Sequence, residues 1–141
     1  MENEENIDIN NYLINTIYVT NKDKDNTPEL IFNADNGLNI NVHIQLVGLS
    51  YGIHSLKIAI LKNNTITLQN SLLINFQSNV DTRKVFDKNS IDKKLAYSGE
   101  VSFSITATAE ELTNASILKI FAIIDDKCKK DILVFLRKKN G

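Results

Sequence analysis

The sequence predicts an all-β protein, and three observations carry the prediction. Apolar residues alternate with polar ones through most of the chain, polar turn segments interrupt the alternation, and no longer segment shows a helical period. Successive side chains of a strand point to opposite faces, so alternation marks a strand with one buried face.

The elements follow in order. Residues 1–8 carry Glu2, Glu4, Glu5 and Asp8 and read as a flexible acidic terminus. Tyr12 to Val19 is rich in β-branched and aromatic residues, which predicts a strand. Asn21 to Pro28 reads as a polar loop, and Glu29 to Phe32 as a short strand. The row Leu38, Ile40, Val42, Ile44, Leu46, interleaved with Asn39, Asn41, His43 and Gln45, is a half-buried strand. A turn over Gly48–Gly52 follows, then a strand through Leu56, Ile58 and Ile60. Lys62-Asn63-Asn64-Thr65 reads as a hairpin turn, because Asn tolerates positive φ. The return strand is expected to alternate through Ile66, Leu68, Leu72, Ile74 and Phe76.

Residues 77–99 read as a long charged connection, with one short edge strand near Lys84–Phe86. Val101, Phe103, Ile105 and Ala107 resume the alternation. Thr108 and Glu111 have the spacing of a capping box, which predicts a helical turn over 109–114. Ile117 to Ile124 is continuously apolar apart from Lys119, as expected of a centrally buried strand. Asp125 to Lys130 is a polar turn, Ile132 to Leu136 the last strand, and residues 138–141 a basic tail.

About eight antiparallel strands and one short helical turn suit two sheets packed face to face, an immunoglobulin-like sandwich, with a closed barrel as the alternative. The simplest division is one domain over residues 9–137 between flexible ends. A chain of 141 residues has the length for one core.

Composition narrows the function. The net charge of -1 lacks the basic excess of a nucleic-acid-coating protein. Charge is nonetheless uneven: residues 1–35 are strongly acidic, and the remainder is basic. The single Cys excludes an intrachain disulfide. The acidic start does not resemble a secretory signal, and no apolar run reaches the length of a membrane helix, so a cytoplasmic or virion location is expected. The 19 Asn residues, many Ile and Lys and absent Trp suggest an AT-rich genome.

Catalytic signatures are sparse. A Ser or Cys nucleophile needs a base in reach, and His43 and His54 are the only histidines. Cys128 sits among Lys127, Lys129 and Lys130 in a turn, where neighbouring charge would favour its thiolate. His43 and His54 could approach across paired strands and, with an Asp, form a metal site, although a surface His43 and a hydrogen-bonded His54 account for both residues. The five glycines form no phosphate cradle. No metal, cofactor or enzymatic activity is therefore expected.

The expected function is a non-enzymatic interaction module that binds a protein partner or its own copies. A structural subunit of a phage, virus or other assembly is the alternative, followed by a small-ligand-binding sandwich. The contact surface is expected in the 77–99 connection, with Arg83, Phe86 and Tyr97 as anchors, because Arg and aromatic side chains dominate interface energetics. Bases interleaved with Phe86 and Tyr97 would also suit single-stranded nucleic acid, but Asp81, Asp87 and Asp92 dilute that field.

Overall fold

The computed structural model describes residues 6–22, 24–64, 66–84 and 97–138. Among the described residues nine strands form two sheets. Sheet A has the order β2 (Lys24–Pro28), β1 (Ile14–Asn21), β4 (Leu38–Leu49), β7 (Tyr97–Ala107). Sheet B has the order β3 (Ile31–Asn33), β9 (Cys128–Arg137), β8 (Ala115–Ile124), β5 (Ile53–Asn64), β6 (Asn70–Asp81). The fold is an immunoglobulin-like β-sandwich rather than one closed barrel.

The alternation in the sequence places the core. Ile17 and Val19 of β1 and Ile40, Val42, Ile44 and Leu46 of β4 face inward from sheet A. Leu56, Ile58 and Ile60 of β5, Leu118, Ile120 and Ala122 of β8, and Val134 of β9 meet them from sheet B. Each fully buried Ile or Leu stabilises the fold by about 1.5–3 kcal/mol relative to an exposed one. Phe76 and Phe103 bridge the sheets near the β6–β7 flank, their ring centroids 4.9 Å apart and their planes at 64°.

Several elements differ from the sequence reading. β5 continues through Asn64, and the turn follows it rather than occupying 62–65. Its cause is the Asn64 side chain, whose Oδ1 accepts from the backbone N–H groups of Ile66 at 2.9 Å and Thr67 at 3.3 Å. Ile66 and Leu68 therefore lie exposed in the turn instead of alternating into a strand. β6 then runs on to Asp81, so the first five residues of the expected 77–99 connection are strand. Of the edge strand expected near Lys84–Phe86 only Lys84 is described, and it closes a 3-10 turn over Thr82–Lys84; residues 85 and 86 lie outside the described residues. The 21–28 loop contains strand β2, which hairpins onto β1.

β3 pairs with β9 in parallel, an exception to the expected antiparallel plan. The capping box forms as expected: Thr108 N–H donates to Glu111 Oε1 at 3.0 Å, and Glu111 N–H donates to Thr108 Oγ1 at 3.1 Å. Gly37 has φ +95°, and a Cβ there would lie 2.5 Å from the Ala107 carbonyl oxygen, so a side chain would collide with β7.

Candidate interaction surface

In a two-layer antiparallel sandwich the outer face of each sheet meets water and is normally polar. Sheet A obeys this rule. Its outer face carries Thr16, Tyr18 and Thr20 on β1, Asn39, Asn41, His43 and Gln45 on β4, and Glu100, Ser102, Ser104 and Thr106 on β7. These side chains pair with one another. Tyr18 stacks on His43 with ring centroids 4.5 Å apart and donates to Glu100 Oε1 at 2.6 Å. That hydrogen bond is the main cause holding the Glu100 carboxyl below the usual carboxylate range and raising the Tyr18 phenol.

His43 Nε2 lies 2.8 Å from Thr20 Oγ1, and its Nδ1 lies 2.7 Å from Ser102 Oγ and 3.4 Å from Glu100 Oε2. Hydroxyl, imidazole and carboxylate thus stand in triad order. Thr20 is only 1% exposed, so the hydroxyl faces no opening for a substrate and the arrangement fixes the ring.

Sheet B breaks the rule. The registers put Ile31, Phe135 and Ile117 in one row across its outer face, Leu133, Leu61 and Leu72 in the next with Lys119 between them, and Phe121 beside Ala59 in a third. Ile31, Leu72, Leu133 and Phe135 are 52%, 54%, 46% and 46% exposed. A dent of about 390 Å³ opens above Ala59, lined by Phe121, Ile123, Asn75 and Gln77 among others. Charges on this face are largely neutralised in pairs, Lys119 with Asp131 at 3.6 Å and Lys57 with Asp126 at 3.3 Å. Lys119 and Lys129 reach over the Phe121 ring, 4.9 Å and 4.5 Å from its centroid. β8 is central in its sheet, as its largely apolar run implies, but among the described residues only its inner face is covered by the other sheet.

The expected anchors are placed differently. Arg83 is exposed, and its guanidinium Nε and Nη2 donate to the two Asp81 carboxylate oxygens at 2.9 Å and 3.0 Å, which raises its pKa further. Tyr97 opens β7, opposite Leu49. Phe86 lies outside the described residues.

A polar latch holds the end of the sandwich from which Arg83 projects. Thr82 is fully buried; its hydroxyl accepts from Gly52 N–H at 2.9 Å and donates to the Ser50 carbonyl at 2.7 Å. His54 bonds Asp125 through Nδ1 and donates from Nε2 to Ser50 O at 2.7 Å. Asp125 Oδ1 accepts from Ser55 N–H at 2.8 Å. The two histidines belong to different sheets, so they do not form the conceivable metal pair. Among the described residues no three His, Cys, Asp or Glu side chains cluster. Cys128, expected in a turn, is the first residue of β9 and buried among core residues. Among the described residues no helix is long and apolar enough to cross a membrane.

No protein-family model matches the sequence, and no curated protein matches it. Solved structures do match in shape. A bacterial adhesin from Mobiluncus mulieris, with intramolecular disulfide, isopeptide and ester cross-links, superposes at a TM-score of 0.54 and 12% identity over 86% of this chain. The chain spans about half of that adhesin, 56% of its length. A CARDB domain from Pyrococcus furiosus, solved with di-metal ions, matches at a TM-score of 0.42 and 11% identity, covering 86% of this chain and 90% of that one. A Bacteroides uniformis β-glucuronidase matches at 0.48 and 7% identity, covering 84% of this chain and only 13% of the enzyme. At such identities the likeness is one of fold, and the chain is an immunoglobulin-like β-sandwich.

Proposed function

We propose that this chain is a non-enzymatic protein-interaction module, and that the outer face of sheet B docks a protein partner. The observation that carries the reading is the apolar part of the outer face, Ile117, Phe121 and Ile123 of β8 with Leu133 and Phe135 of β9, which no other described element covers. Contiguous apolar surface on a soluble sandwich marks a contact site. The partner's chemistry follows from the face: an apolar patch to cover Leu133, Phe135 and Phe121, with a carboxylate at its rim to meet Lys129. Arg83, just after β6, and Tyr97, the first residue of β7, lie away from β9 and would form a second contact. As a subunit of a larger assembly, the chain would use the same apolar face against its neighbours.

The test uses 8-anilinonaphthalene sulfonate as an apolar-surface probe, followed by amide NMR shifts. Shifts confined to residues 117–123 and 131–135, abolished by Leu133→Lys with Phe135→Lys, are expected. A stoichiometric protein complex formed by the native chain and lost in the double variant completes the case. Dye shifts centred on sheet A, or a complex indifferent to the double variant, refute the assignment.

A further inference from the structure

We infer that the β6 edge is a self-pairing surface through which two copies of this chain join their five-stranded sheets into one continuous sheet of ten. Among the described residues β6 is the last strand of sheet B, bonded to β5 on one side. An edge strand offers a row of unpaired backbone donors and acceptors, and soluble proteins usually blunt such a row with proline, lysine or a short strand. β6 has none of these devices, and its one irregularity, the register shift at Leu73, lies outside the Ile74–Val80 stretch. It is 12 residues long and contains neither Pro nor Lys, and its one charged residue, Asp81, stands at its very end.

The side chains favour a second copy over an unrelated strand. Pairing with Lys57, Ser55 and Ala59 puts Gln77, Asn79 and Asn75 on the outer face, where all three are exposed. Pairing with Ile60, Ile58, Leu56 and His54 puts Ile74, Phe76, Ser78 and Val80 on the core side. A primary amide both donates and accepts, so an amide row is complementary to itself. A two-fold axis perpendicular to the sheet at Gln77 preserves both faces. It sets Asn75 opposite Asn79 of the second copy on the outer side, and Ile74 opposite Val80 on the core side. The two Asp81 residues then lie about 27 Å apart at ~3.4 Å per residue. That separation exceeds the Debye length of about 8 Å, so the charges do not oppose the pairing. A two-fold contact of this kind is the commonest closed arrangement of identical chains.

The full chain is tested by light-scattering mass across a concentration series, with circular dichroism to confirm the fold of each variant. The native chain is expected to reach twice its 15.9 kDa mass as concentration rises. Asn75→Lys with Asn79→Lys sets lysine opposite lysine across the two-fold and should weaken the dimer at least tenfold. Asn75→Lys with Asn79→Glu sets opposite charges in the same register and should keep it. Leu133→Lys with Phe135→Lys lies away from the edge and should keep it as well. A native chain that stays monomeric throughout overturns the proposal, as does a dimer unmoved by the double lysine variant, or one lost equally with the lysine–glutamate variant. A dimer lost only with the Leu133 and Phe135 substitutions also overturns it, and assigns self-association to the apolar face.

Discussion

Asp125→Ala should be among the costliest single substitutions at a half-exposed position of this protein, and its partner groups say why. The carboxylate accepts from Ser55 N–H at 2.8 Å and holds His54 Nδ1. Removing it leaves both groups without an acceptor in a partly buried site, at about 1 kcal/mol or more each. Asp125 has φ +53°, a left-handed conformation in which Ala is about 1 kcal/mol worse than Asp. The sum is about 3 kcal/mol, or roughly 10 °C in melting temperature for a chain of this size. Asp125→Asn is the informative control. Its amide oxygen still accepts from Ser55 N–H, its N–H₂ can donate to an unprotonated Nδ1, and the ring keeps its proton on Nε2 for Ser50 O. It also tolerates the left-handed backbone, so the loss should stay under about 1 kcal/mol. Thermal and urea unfolding of the three proteins decide the matter. Equal losses in Asp125→Ala and Asp125→Asn, or no loss in Asp125→Ala, would refute the reasoning.

Three further outcomes follow from the geometry. Tyr18→Phe should raise the Glu100 carboxyl toward its ordinary value, read by carbon-detected NMR titration. Because the folded-state value is depressed, the stabilisation it confers is present at neutral pH, fades as pH falls through the folded value, and is smaller in the variant. Gly37→Ala forces a Cβ against the Ala107 carbonyl at a positive φ and should cost roughly 2–3 kcal/mol in denaturant unfolding. Leu133→Lys, at a 46% exposed position, should change stability by no more than about 0.5 kcal/mol, since the side chain is already half-exposed.

The sandwich was legible in the sequence because alternation is a direct image of a sheet with one buried face, as in Leu38–Leu46. The 64–69 turn was not, because its position depends on one Asn64 side chain gathering two amides, and alternation across Ile66 and Leu68 mimicked a strand. β2 was hidden by its composition: Lys24 to Pro28 shows no alternation of apolar residues, and it is backbone pairing with β1 that defines it as a strand. The apolar outer face left a readable trace. Ile117–Ile124 and Ile132–Leu136 lack alternation, which says that both faces carry apolar side chains. The β6 edge left none, since strand order is a tertiary property that spacing does not encode.

The parallel pairing of β3 with β9 sets the order in which this chain can finish folding. Leu30 O accepts from Phe135 N–H at 2.7 Å, and Ala34 N–H donates to Arg137 O at 2.9 Å, so a segment near the start is sewn to one near the end. On the ribosome, residues 31–33 emerge early and wait for their partner until about a hundred more have been made. Such long-range closure slows folding. It also leaves the early strands exposed during synthesis. A nascent chain stalled before Phe135 would carry Phe32, buried in the finished protein, on a strand whose pairing partner has not been made.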